Sequence, residues 1–314
     1  MQFPDTHTAT WQASDSRTLL GTNGTEAMAV LLAENKSDLV DYLKVGPFMG
    51  HQAIAALSAF PMLLHLDDAL SSHQPLADEQ LKRVESYVVE SATPWTSAHI
   101  GFGVAEVSLD SALITQPSSA LLDRSVALSN ISRNARQMQG AITVPLLLEN
   151  LPLFPNHAHL HICEPDLIST VISQTGCGLL LDVAHARVSA DILGLSVKEY
   201  VLCLPIDQLV EIHISGPRRL EELDETRRET VMRNAQSISG YVDIRSDSLV
   251  DAHEPIRHED LDLLAWVLDI ARPRAVSLEY YKDARLLEAQ LGSLNELLER
   301  DRGQMVLPEE TAGL

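Results

Sequence analysis

Short apolar runs recur eight times along this chain, and stretches with helical spacing separate most of them. The runs are "LVDYLKVG" (39–46), "PMLLHL" (61–66), "WTSAHIG" (95–101), "TVPLLLEN" (143–150), "GLLLDV" (178–183), "LVEIHISG" (209–216), "SLVDAH" (248–253) and "AVSLEY" (275–280). A run apolar at successive positions reads as a strand buried on both faces, as in a parallel sheet. Apolar residues three and four apart predict helices over 78–92, 121–138, 164–174, 258–271 and 283–300. Strand then helix, eight times over, predicts a single-domain parallel (β/α)8 barrel of the TIM type, for which 314 residues are ample. The alternative, a doubly wound open sheet, lacks a glycine-rich phosphate loop after its first strand. The barrel is expected over 38–300, with an N-terminal extension over 1–37, an enlarged insertion at about 217–247 and a tail over 301–314.

The ends of these strands carry the chemistry. The second run ends near His65, the third near His99, the fourth on Glu149 and the fifth on Asp182. The sixth supplies His213, the seventh Asp251 and His253, and the eighth Glu279. In a (β/α)8 barrel these ends converge on one rim, where active sites form. A single histidine there is commonly structural, and a single carboxylate commonly caps the next helix. Seven endings of eight carrying His, Asp or Glu is a different pattern, because buried charge of one sign is costly without a compensating cation. Imidazole and carboxylate without thiolate suit Fe, Mn, Co or catalytic Zn. The set is too large for one ion that keeps open positions, so it predicts two or three ions bridged by carboxylates. His185, three residues after Asp182, is placed in the first turn of the following loop. Glu211 alternates with His213, and is either a ligand or a group that orients the imidazole.

Composition restricts the partners. There are 44 acidic against 23 basic residues, a formal charge of −21, which repels nucleic acid and anionic membranes. No apolar run approaches the roughly 18 residues of a membrane span. The beginning of the chain lacks the basic-then-apolar pattern of a secretory signal, so a soluble, cytoplasmic protein is expected. Cys163, Cys177 and Cys203 form no CxxC pair and read as buried thiols.

The segments "LLLEN", "GCGLLLDVAHARVSA", "VEIHISG" and "DAH", with "LLHL" and "SAHIG" upstream, resemble the DUF692 family. These are the multinuclear non-heme iron-dependent oxidative enzymes (MNIO), which include an iron enzyme of methanobactin biosynthesis. The likeness covers roughly 38–290 and is strongest over 146–216. It implies a barrel holding two or three irons in mixed Fe(II)/Fe(III) states, with O2 as co-substrate. It also implies oxidative modification of a residue, most often cysteine, in a ribosomally made precursor peptide, commonly with a small leader-binding partner protein. The ligands carried over are His65, His99, Glu149, Asp182, His213, Asp251, His253 and Glu279, with Asn150 and Glu211 in supporting positions. The family's "DVNN" is "DVAH" here, which puts His185 where an asparagine ligand is expected. "HG" after the second strand is "HL", and "E-x-D" at the eighth is "EYY". No cysteine of the chain falls at the rim, so a reacting thiol comes from the substrate. The competing function is a redox-neutral isomerase or hydrolase on a xylose-isomerase-like barrel, using much the same ligands with Mn, Co or Zn. A non-catalytic metal-storage protein is a third reading.

Three further features have bland and sharp readings. The insertion is either a solvated helix over the rim or a lid that docks a peptide. Arg187 either contacts a peptide carboxylate or pairs with a neighbour. His157, His159 and His161 in "NHAHLHI" are expected to be solvated loop histidines rather than ligands.

Overall fold

The computed structural model describes residues 17–109, 115–153 and 156–304. Twelve strands are present among them: β1 (Leu19–Asn23), β2 (Tyr42–Val45), β3 (Met62–Leu66), β4 (Thr96–His99), β5 (Val107–Leu109), β6 (Thr115–Pro117), β7 (Leu146–Glu149), β8 (Gly178–Asp182), β9 (Leu209–Ile214), β10 (Gly216–Arg219), β11 (Leu249–Glu254) and β12 (Ala275–Leu278). Eight of them close a barrel in the order β1-β12-β9-β8-β7-β4-β3-β2. Every neighbouring pair in it is parallel. The single-domain (β/α)8 architecture expected from the alternation is the one observed. Four of the expected helices form as Asp78–Ser91, Arg124–Ala141, Pro165–Thr175 and His258–Ile270, and the last runs from Ala284 to Gln304.

Two strand assignments differ from the sequence reading. The first barrel strand is Leu19–Asn23, inside the segment expected to be an extension, so the barrel begins well before residue 38. Its sequence, LLGTN, is short and half polar, and so it lacks the apolar signature of a strand buried on both sides. Thr22 is nevertheless fully buried, its hydroxyl donating to the Leu278 carbonyl at 2.7 Å. Conversely, "SLVDAH" is not a barrel strand. It forms β11, which pairs antiparallel with β10 in a separate two-stranded sheet. An apolar run packed against a satellite cluster (Leu220, Leu223, Val231, Val250, Ala252) looks the same in sequence as one in the barrel wall. Residues 1–16 and 305–314, parts of the two terminal segments, lie outside the described residues.

Strand alternation sorts side chains into layers. Leu64, Leu66, Leu146, Leu148, Leu179, Leu181, Ile212 and Ile214 face outward into the core shared with the helices. Tyr42, Leu63, Trp95, Leu147, Leu180, Val210 and Ala275 pack as a separate cluster that plugs the barrel's interior. Two residues further along the same strands stand Lys44, His65, Ser97, Glu149, Asp182 and Ser277. A register shift between Leu179, opposite Leu209, and Leu180, opposite Glu211, skips Val210 and sets Glu211 and His213 in phase with them.

Gly21 is required by the plug. A Cβ there would lie 2.3–2.6 Å from the Tyr42 ring, and that ring is anchored by its hydroxyl on Ser277 Oγ at 2.7 Å. Gly21→Ala is therefore expected to destabilise the fold by about 1–3 kcal/mol, measurable by chemical denaturation. Wild-type stability in that variant would mean that the plug yields.

Candidate metal centre

Six of the nine expected ligands stand on or just beyond the C-terminal ends of barrel strands. They are His65 on β3, His99 on β4, Glu149 on β7, Asp182 on β8, His213 on β9 and Glu279 directly after β12. Asp251 and His253 arrive from above on β11. His185 belongs to a helix, Val183–Leu193, that begins directly after Asp182, and not to a loop. Asp182 caps this helix and also faces the cluster. Its Oδ1 accepts the His185 backbone N–H at 2.7 Å as the helix cap, and its Oδ2 faces the cluster.

All nine groups meet. Glu149 lies at the centre, with Oε2 at 3.6 Å from His65 Nε2 and 3.9 Å from His99 Nε2. Its Oε1 is 3.4 Å from His185 Nδ1 and 3.6 Å from His213 Nδ1. Glu279 Oε1 approaches His213 Nδ1 at 3.1 Å, and its Oε2 approaches His253 Nε2 at 3.1 Å. Asp251 spans His185 Nε2 at 3.5 Å and His253 Nδ1 at 3.3 Å. Two sets have donor atoms mutually within 4.8 Å: His65, His99 and Glu149; and Glu149, Asp182 and His213. Glu149 belongs to both.

The residues fit a metal centre by the condition of their polar atoms. Glu149 Oε2, Asp182 Oδ2, His213 Nδ1 and Asp251 Oδ1 are buried and make no hydrogen bond. Buried polar atoms are ordinarily satisfied, and a group of orphans facing one another is what a cation would complete. The protonation pattern reports the same crowding. Burial pushes the Asp182 carboxyl up to about 7, against the pull of His185. Burial lowers His65 to about 3, so its imidazole is neutral. For His253 burial also acts downward, but Asp251 and Glu279 outweigh it and raise the ring to about 9. His185 and His213 likewise rise well above the ordinary range despite burial, drawn by the surrounding carboxylates.

Supporting groups aim the imidazoles. The His185 Nδ1–H donates to the Asn150 carbonyl at 2.8 Å, which turns Nε2 toward Asp182 and Asp251. Asn150 clasps the Asp182 backbone, its amide donating to the Asp182 carbonyl at 3.0 Å and its Oδ1 accepting the Asp182 N–H at 2.9 Å. Asn150→Ala is thus expected to cost about 10–100-fold in metal affinity, the usual range for a residue that orients a ligand. A metal titration giving wild-type affinity would remove Asn150 from that role. Of the two readings of Glu211, the geometry favours orientation over ligation. It is fully buried beneath His213, at 3.3 Å from its Nε2, and is ion-paired with Lys44. His253 has φ +45°, a left-handed conformation costing about 1–3 kcal/mol for such a residue, and its two carboxylate partners hold it there.

A cavity of about 450 Å3 opens over the cluster, walled by His99, His159, His185, His253 and Tyr281. The insertion supplies the opposite wall. Its helix, Glu225–Ala235, lines the cavity with Thr226, Arg227, Thr230 and Val231, so it is not merely a solvated cover. His159 was expected to be solvated and is buried instead, with Nδ1–H donating to the Pro152 carbonyl at 3.0 Å and the ring edge-on to Phe102. Its spacing in "NHAHLHI" gave no sign of this, because the segment folds as a short 3-10 turn rather than an extended strand. Lys44 was also missed, though "LVDYLKVG" displays it as a lone charge in a strand. Arg187 takes the structural reading, ion-paired with buried Asp260 and lying 3.6 Å from Glu259.

The family described as RiPP precursor modification enzyme MbnB/TglH/ChrH matches residues 39–299. The chain belongs to this family. Its members are metal-dependent enzymes acting on ribosomal precursor peptides, and this chain has two groups of side chains that could hold a metal ion. Among relatives, a UPF0276 protein of Paraburkholderia phytofirmans is 29% identical over 198 residues, covering 61% of this chain and 63% of the relative. A UPF0276 protein of Caulobacter vibrioides is 25% identical over 255 residues, covering 77% and 88%. Among solved structures, D-psicose 3-epimerase from Clostridium cellulolyticum H10 superposes with a TM-score of 0.56 at 12% identity, covering 91% of this chain and 99% of that one. A xylose isomerase domain-containing protein of Salmonella typhimurium gives 0.52 at 12% identity, covering 94% and 100%. Likeness at that identity describes the barrel alone. No helix among the described residues is long and apolar enough to cross a membrane.

Proposed function

We propose that this chain holds a multinuclear iron centre and uses O2 to modify a residue, with cysteine the expected target, in a ribosomally synthesised precursor peptide. The observation that carries the reading is Glu149, which is shared by both donor sets and so suited to bridge two ions. His65 and His99 would hold one of these ions, and Asp182 and His213 the other. Asp251, His253, Glu279 and His185 would supply the remaining donors. Iron, when bound, supplies redox chemistry toward O2 that no side chain of the protein can provide.

The chain's own part is to bind, orient and exclude. Four carboxylates, Glu149, Asp182, Asp251 and Glu279, concentrate negative charge where cations would sit. The Asn150 carbonyl fixes the imidazole of His185. Leu151, Leu223 and Val231 supply apolar wall to the cavity, which limits bulk water over the reacting residue. Thr226, Thr230 and Arg227 offer hydrogen-bond groups to an extended peptide lying along the insertion helix. The thiol comes from the substrate. Burial pushes Cys163 up to about 12 and Cys177 up to about 11, so neither is a usable thiolate, and none of the chain's cysteines lines the cavity. A small leader-binding protein is the expected partner for delivery.

Iron-loaded protein given its precursor peptide, the partner and O2 should change the peptide's mass, as read by mass spectrometry. An unchanged mass under those conditions contradicts the proposal. Conversion of a sugar by the Mn-, Co- or Zn-loaded protein would favour the redox-neutral alternative.

A further inference from the structure

We infer that Lys44 is a positioning residue of the metal centre, acting on two of its imidazoles at once through Glu211 and Ser97. The inference rests on the reading of His65 and His213 as ligands. Lys44 lies inside the barrel, one layer below the cluster, and is 3% exposed. Its Nζ donates to Glu211 Oε1 at 2.5 Å and to Ser97 Oγ at 3.1 Å. From these two groups the connection continues upward along separate strands. Glu211 Oε1 lies 3.3 Å from His213 Nε2, and Ser97 Oγ lies 2.9 Å from His65 Nδ1.

The proton assignments follow from the acceptors. Glu211 as a carboxylate can only accept, so in the neutral ring that a metal requires the His213 proton is on Nε2 and the lone pair is on Nδ1, the orphaned atom that faces Glu149 and Glu279. Ser97 Oγ accepts from Lys44, has the Leu64 carbonyl within 3.5 Å for its own proton, and accepts again from His65 Nδ1–H. That leaves His65 Nε2 as a lone pair directed at Glu149. One ammonium therefore selects the ligating nitrogen on two rings from different strands. The rest of the network is satisfied: Glu211 Oε2 accepts Trp95 Nε1–H at 2.9 Å, and its Oε1 also accepts Ser277 O–H at 3.0 Å. Both charges are buried and balance each other, so neither draws on the metal-binding carboxylates above. A ligand imidazole with its second nitrogen pinned binds metal more tightly than a free one.

The test is an anaerobic Co2+ titration, following the visible d–d absorption, on the wild-type chain, on Ser97→Ala and on the charge-neutral double variant Lys44→Met/Glu211→Gln. Ser97→Ala removes one oxygen and leaves the ion pair intact. The double variant removes both charges together, so neither is stranded. Circular dichroism of the metal-free proteins checks that each is folded. The expected result is a loss of about 10–100-fold in Co2+ affinity in both variants, with a shifted d–d spectrum, on an unchanged fold. Wild-type affinity and spectrum in either variant would overturn the inference. A wild-type chain that takes up no Co2+ would instead overturn the reading of the cluster as a metal centre.

Discussion

Glu149→Gln should all but abolish metal loading, lowering affinity by well over about 100-fold, beyond the range expected for residues that merely orient a ligand. The reason is its position. Glu149 Oε2 serves His65 and His99, and Oε1 serves His185 and His213, so one substitution removes a donor from both sets. Gln keeps the shape and loses the charge, which separates the electrostatic role from packing. The metal-free protein should remain folded, because the amide has the same shape and can still hydrogen-bond to the surrounding imidazoles. Quantifying bound metal in wild-type and Glu149→Gln protein checks this directly. A variant that retains every ion would show that Glu149 bridges none of them.

The second large effect lies one layer down. Lys44→Met alone should destabilise the folded state by about 3–5 kcal/mol, because Glu211 would remain as an uncompensated charge in the barrel interior. Adding Glu211→Gln should recover most of that loss. The comparison is read from denaturant midpoints of the two variants against wild type. If Lys44→Met costs no more than an exposed ion pair, at most about 1 kcal/mol, the buried network does not exist as described.

Much of this site was legible in the letters because a parallel barrel turns sequence position into spatial position. His65, His99, Glu149, Asp182, His213 and Glu279 occupy equivalent places on strands whose ends must converge. Asp251 and His253 were also found, but by a mistaken route. Their strand lies outside the barrel, and they reach the cluster because it pairs antiparallel with Gly216–Arg219 in a two-stranded sheet beyond the barrel. Leu19–Asn23 escaped notice because a barrel strand opposite a bulky Tyr42 takes glycine and threonine rather than an apolar run. Lys44 and His159 escaped for another reason. Their roles depend on partners 167 residues away for Lys44 and on a carbonyl, that of Pro152, for His159. Neither relation has a period in sequence.

The most direct test of the central claim is metal analysis of the protein purified without oxygen. The account predicts more than one iron per chain, with visible absorption that changes on exposure to air. A colourless protein holding a single zinc, or one holding no metal at all, would contradict it.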